Sequence, residues 1–121
     1  MAKNILIADD SATIRKLVSY TLKFGGYNVV TANDGKQAWE ILRKGKFDMT
    51  IIDILMPVMD GFQLLSKIKN DEKLKNTPCV ILTTEGDEAS EQKGMELGAD
   101  SFMAKPFQPQ QLIAKVEEFI K

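Results

Sequence analysis

Two kinds of apolar segment alternate along the chain. Short runs with little polar interruption stand at residues 3–8, 27–31, 47–53, 79–83 and 101–104. Longer segments between them space their apolar residues three and four apart. These stripes are Ile14, Leu17, Val18, Thr21 and Leu22; Ala38, Ile41 and Leu42; Phe62, Leu64, Leu65 and Ile68; and Leu112, Ile113, Val116, Phe119 and Ile120. The uninterrupted runs suit strands covered on both faces, and the stripes suit amphipathic helices. Residues 88–97 carry a poorer stripe (Ala89, Met95, Leu97) with Gly94 inside it. A glycine within a helix costs about 1 kcal/mol relative to alanine. This segment is therefore predicted to be the least stable helix, the kind of element from which switching motions are drawn.

Local chemistry punctuates the same divisions. Ser11 is placed to cap a helix, Gly25–Gly26 and Gly45 to stop one, and Asn33–Asp34–Gly35 to turn and cap. Met56–Pro57 and Asp60–Gly61 end the third run in a turn, and Pro109 fits the first position of the last helix. Residues 70–78 are polar and end in Pro78, and the charged run 67–75 reads as a solvated loop. A strand–helix unit repeated five times predicts a parallel sheet with helices on both faces and right-handed crossovers. No G-x-G-x-x-G follows the first strand, which disfavours half of a dinucleotide fold. The expectation is a flavodoxin-like doubly wound (βα)5 domain of strand order 2-1-3-4-5 over residues 1–121.

Composition narrows the function more than the fold. The 16 basic and 17 acidic residues give a formal net charge of −1, which offers no electrostatic drive toward nucleic acid or anionic membrane. There is no histidine, so the commonest general base and transition-metal ligand is missing. The single cysteine, Cys79, lies in an apolar run and reads as a buried small hydrophobe. No apolar run approaches membrane-spanning length and no signal peptide is evident, so a soluble cytoplasmic protein is expected; a monomer is the expected state.

The polar residues left over fall at strand ends. Asp9 and Asp10 follow the first strand, Asp53 ends the third, Thr83 ends the fourth, and Lys105 follows the fifth. In a parallel sheet these ends share one edge, so residues far apart in sequence converge. Three carboxylates together repel and ask for a cation. Oxygen donors without histidine or thiolate suit a hard ion, and magnesium fits best. A divalent cation, a lysine, a hydroxyl and a central carboxylate suit phosphoryl transfer, with the carboxylate as acceptor of an aspartyl-phosphate. Asp53 is the central acid.

At these residues the chain resembles the response-regulator receiver domain of the CheY-like family over nearly its whole length. The matching motifs are Ile-Ala-Asp9-Asp10-Ser, Asp53-Ile-Leu-Met-Pro-Val-Met-Asp-Gly61, Leu-Thr83-Thr-Glu and Ala-Lys105-Pro-Phe. The resemblance implies a two-component signalling module in which Asp53 takes phosphate from a histidine kinase's phosphohistidine. It implies that Asp10 and Asp53 ligate Mg2+ directly, Asp9 mainly through water, and Leu55 through its backbone carbonyl. Thr83 would bond a phosphoryl oxygen, Lys105 would pair with the phosphate, and Thr83 with Phe102 would form the switch pair. The output surface would be the fourth helix, fifth strand and fifth helix, presented to a protein target. Phe102 stands where many members have tyrosine, and it can also be read as core packing. Leu55 and Glu85 are expected to flank the phosphate and tune its hydrolysis. Such a module phosphorylates and dephosphorylates itself but is not an enzyme with a separate substrate. Leu-Thr-Thr-Glu and Lys-Pro-Phe-Gln-Pro look more like the chemotaxis subgroup than transcriptional regulators, so a stand-alone receiver acting through surface contacts is expected, with a receiver excised from a longer regulator as the alternative. A phosphatase of the haloacid-dehalogenase type wants a second acid at position 55, where leucine stands. A flavodoxin-like FMN binder wants a hydroxyl- and glycine-rich phosphate loop where Asp9–Asp10 stand.

Overall fold

The computed structural model describes residues 2–120. Its elements are β1 (Asn4–Ala8), α1 (Ala12–Phe24), β2 (Asn28–Ala32), α2 (Gly35–Lys44), β3 (Met49–Asp53), α3 (Gly61–Lys69), β4 (Cys79–Thr84), α4 (Glu88–Glu96), β5 (Ser101–Lys105) and α5 (Pro109–Glu117). The strands are parallel and ordered β2-β1-β3-β4-β5, as the alternation predicted. The third run is shorter than expected. Phe47 and Asp48 precede β3; the Asp48 N–H still donates to the Asn4 carbonyl at 2.7 Å, but the Asn4 N–H goes to the Asp48 carboxylate at 2.8 Å rather than to a backbone carbonyl.

Residue parity along each strand divides the core into two layers. Leu6, Ala8, Ile52 and Ile81 pack with Ala38, Leu42, Leu64, Leu65 and Ile68, under α2 and α3. Ile5, Ile7, Met49, Ile51, Val80 and Leu82 pack with Val18, Leu22, Leu112 and Val116, under α1 and α5. β3 is central and buried at every position, so Asp53 is mounted on the most constrained backbone in the sheet.

Three expectations are corrected. Leu17 does not face the core: with Tyr20 and Phe24 it stands exposed on α1, which buries only Val18 and Leu22. In α4 the stripe Ala89, Met95 and Leu97 is exposed or half-buried, and Gly94 is the helix's one buried residue. A Cβ at Gly94 would stand 2.1 Å from the Ile81 δ-methyl, so the glycine lets α4 approach β4 closely. The helix gives up propensity for packing. Finally, the charged run 67–75 is not a loose loop. Its first residues are the last turn of α3, Leu74 is buried, and the Lys69 ammonium donates to the Thr77 carbonyl at 3.0 Å and the Asp100 carboxylate at 2.9 Å. Cys79 is fully buried, and its Sγ lies 3.0 Å from the Thr50 hydroxyl. Burial pushes the thiol up to about 11.

Candidate functional site

Register places the polar residues. Ala8 is level with Ile52, Asp53 with Leu82, Thr83 with Ala104, and Thr84 with Lys105. One residue beyond Ala8, Asp9 keeps a strand-like bond from its N–H to the Ala32 carbonyl at 3.1 Å. The chain then enters α1, whose N-cap Ser11 accepts the Ile14 N–H. The acids therefore emerge at the end of the sheet where β1 hands over to α1 and β3 to its following loop.

The three aspartates meet: one carboxylate oxygen from each of Asp9, Asp10 and Asp53 lies within 4.8 Å of the others. Asp9 is fully buried and Asp10 exposed. Both Asp9 oxygens are engaged, Oδ1 by the Ser11 N–H at 2.8 Å and Oδ2 by the Lys105 ammonium at 2.8 Å. The Asp9 carbonyl accepts from the Arg15 guanidinium at 2.7 Å. Lys105 also reaches Asp53 Oδ1 at 3.1 Å, so a single ammonium bridges two acids. Burial first, and then the charge of Asp9, raise the Asp53 carboxyl above its ordinary range, with Lys105 opposing. For Lys105 burial pulls downward, but its hydrogen bond to Asp9 and the charge of Asp53 outweigh it and the net direction is up.

A cavity of about 360 Å³ opens beside Asp53 and is lined by Asp10, Leu55, Thr83, Thr84, Asp87, Ser90 and Lys105, among others. Thr83 is buried at its rim, and its hydroxyl has no hydrogen-bond partner among the described residues. A buried unpaired hydroxyl costs about 1–3 kcal/mol, so an acceptor oxygen entering the cavity beside it would be stabilised by this hydroxyl. Gly61 packs against the backbone at the end of β3. Its N–H bonds the Ile54 carbonyl at 2.8 Å, and a Cβ there would lie 2.3 Å from the Asp53 carbonyl oxygen. Val58, with φ 69°, sits in the left-handed region within the same loop, a conformation that a β-branched residue adopts only under constraint.

The structure brings Asp9, Asp10, Asp53, Thr83 and Lys105 together, with Leu55 exposed at the mouth. Glu85 departs from expectation. It lines a second groove, of about 460 Å³, with Phe102, Met103, Lys115 and Glu118 between β5 and α5. Phe102 is 37% exposed on the edge strand, so it is not core packing. Asp87 and Ser90 were missed as lining residues. Their signal was position: every residue of the β4–α4 connection lies at the same sheet edge as Thr83.

The three acidic side chains fit a hard divalent cation. All donors are oxygens, and oxygens of one charge held this close are mutually repulsive without a positive partner beyond Lys105. Among the described residues no helix is long and apolar enough to cross a membrane.

Comparison with known proteins agrees with this geometry. The chain is 41% identical over 117 residues to a response regulator of Aneurinibacillus migulanus, GtcR, covering 97% of this chain and 47% of that one. It is 33% identical over 121 residues to the phosphate regulon transcriptional regulatory protein PhoB of Pseudomonas aeruginosa, covering 100% of this chain and 53% of that one. The chain thus spans about half the length of these curated relatives. The structure of the Vibrio cholerae chemotaxis protein CheY4 superposes with a TM-score of 0.94 at 38% identity, covering 99% of this chain and all of that one. Residues 5–117 match the response regulator receiver domain family, and the chain belongs to that family of two-component signalling modules.

Proposed function

We propose that Asp53 accepts a phosphoryl group from the phosphohistidine of a histidine kinase, with Asp9, Asp10 and the backbone carbonyl of Leu55 joining it in holding Mg2+. The observation that carries this reading is the convergence of three carboxylates and one lysine from three strand ends on a cavity whose buried threonine hydroxyl is unpaired. With both its oxygens engaged, Asp9 is the acid suited to act through water, and Asp10 and Asp53 are the ones suited to direct contact. When bound, magnesium supplies neutralisation of the phosphoryl oxygens. The chain's own residues do the rest. Rigid β3 aims the Asp53 oxygen, Lys105 turns from Asp53 toward the incoming phosphate, and Thr83 donates its free hydroxyl to a phosphoryl oxygen.

The phosphoryl group adds about −1.5 to −2 charge at this rim. Thr83 is drawn toward it and vacates space on the α4 side of β4. Phe102, outward and lacking a phenolic hydroxyl to anchor it, can then turn in. That remodels the α4–β5–α5 face, including the groove that Glu85 lines, for a protein target. A change from 1:99 to 99:1 requires phosphorylation to favour one state by about 5.5 kcal/mol. Glu85 acts in this reading from the output groove, whereas Leu55 tunes water access to the phosphate. The PhoB-like relatives are transcriptional regulators and the CheY4 likeness is to a chemotaxis protein. Output through protein contact, in the cytoplasm and as a monomer, is the reading we take, without direct contact to nucleic acid by this domain.

The test is intact mass after incubation with Mg2+ and a small acyl phosphate. Wild type should gain one phosphoryl group, and Asp53→Asn none. An adduct that survives Asp53→Asn refutes the assignment. Trp39 is a poor reporter, because it lies on α2 between Arg43 and Lys67, at 5.9 and 5.4 Å, away from the cavity.

A further inference from the structure

Resting on the reading of Asp53 as phosphoacceptor, we propose that Asp87 is a charge-selective lip of the acceptor cavity, discriminating among phosphodonors by their net charge. Asp87 and Asp53 line the same cavity from different elements, the β4–α4 connection and the end of β3. Asp87 is held in place: its Oδ1 accepts the Ser90 N–H at 3.1 Å as the N-cap of α4, and its own N–H donates to the Thr84 carbonyl at 3.0 Å. The bond from Ser90 keeps its carboxyl below the ordinary range, so it is ionised wherever the protein works.

The α4 N-terminus offsets part of its charge, but no cationic side chain among the described residues does. No ion pair reaches Asp87 among the described residues, and Lys105 is engaged by Asp9 and Asp53. A divalent cation together with Lys105 cancels the three clustered aspartates. What an incoming donor then meets at the mouth is the neutral pair Leu55 and Thr84, and the charge of Asp87. Glu85, the acid two residues earlier, lies along the other groove. Asp87 therefore repels a dianionic donor more than a monoanionic one.

Two small donors separate the cases. With acetyl phosphate, a dianion, an Asp53 oxygen bonds phosphorus while the bond from phosphorus to the bridging oxygen breaks, and acetate leaves with the electron pair. With phosphoramidate, a monoanion near neutral pH, the phosphorus–nitrogen bond breaks instead, and the protonated nitrogen leaves as ammonia with the pair. The experiment measures initial rates of adduct formation by intact mass at saturating Mg2+ and at low and high salt. It compares wild type, Asp87→Asn and Asp87→Ser. Asparagine and serine both cap helices, so each removes the charge and keeps α4; circular dichroism checks that it does. The variants should accelerate acetyl phosphate about two- to fivefold at low salt, accelerate phosphoramidate less, and lose the difference near 1 M salt, where the Debye length is about 3 Å. Unchanged rates overturn the role of Asp87 while leaving Asp53 as acceptor. Equal, salt-independent changes with both donors mean an effect through the fold and also overturn it. A wild-type protein that takes phosphate from neither donor overturns this role and the acceptor reading together.

Discussion

Asp53→Asn should stabilise the metal-free protein at neutral pH. Asp53 is 7% exposed, and its carboxyl lies above the ordinary aspartate value of 3.8 because burial and Asp9 disfavour its charge more than Lys105 favours it. The folded state thus binds the Asp53 proton more tightly than the unfolded state does. That contribution to stability is fully present below pH 3.8 and is lost as pH rises through the folded value. Above that window wild type carries a penalty that asparagine does not. At an effective dielectric of about 20, attraction to Lys105 and repulsion from Asp9 are each of the order of 3–5 kcal/mol and largely cancel. Desolvation remains, several kcal/mol for a fully buried ion. With Asp53 at the mouth of a cavity, about 1–2 kcal/mol should survive, or a rise in Tm of roughly 3–8 °C. Urea or thermal unfolding in EDTA, from pH 8 down to pH 3, measures it. The gap should be full at neutral pH and close on acidification. Magnesium should also close or reverse it, because binding at tenfold over Kd stabilises wild type alone by about 1.4 kcal/mol. A variant no more stable than wild type at pH 7, or a gap that widens as pH falls, refutes this account of the site's electrostatics.

Other substitutions probe the scaffold. Gly61→Ala places a methyl against the Asp53 carbonyl, a backbone group with nowhere to go. It should cost about 1–3 kcal/mol in urea unfolding and slow adduct formation; wild-type values for both would mean the loop yields freely. Thr83→Val removes an unpaired buried hydroxyl and should leave the stability of the unphosphorylated protein unchanged or higher by up to about 1 kcal/mol. Adduct formation should fall at the same time, and a large loss of stability would show that the hydroxyl already has a partner. Cys79, buried and pushed up to about 11, should resist iodoacetamide at pH 8 until denaturant is added, and rapid alkylation of native protein would contradict its burial.

The five strand–helix units were legible because each half of the pattern has its own period, and because parallel strands buried on both faces read as unbroken apolar runs. The strand order followed from alternation and the missing glycine fingerprint. Lys105 and Asp9, 96 positions apart, were placed together by topology alone, and the 2.8 Å contact agrees. Short-range pattern failed where tertiary packing overrode it. Gly94 reads as a weak point in a helix, yet it is the contact by which α4 sits against Ile81. Leu17 keeps helical spacing but lies outside the face that α1 packs against β1, β2 and α5. Lys69 reads as part of a solvated run, but its acceptors come from Thr77 and Asp100, which only the fold brings near.

The sequence by itself determined which residues meet. Strand direction forces every carboxyl-terminal end to one edge, and that is a property of order along the chain. Only the tertiary structure decided how they meet: that Lys105 bridges two acids, that both Asp9 oxygens are taken, that the Thr83 hydroxyl is unpaired among the described residues, and that Glu85 lines the groove between β5 and α5 while Asp87 lines the cavity beside Asp53. Those facts depend on side-chain direction and on distances of a few ångströms, set by how whole layers pack and carried by no local period.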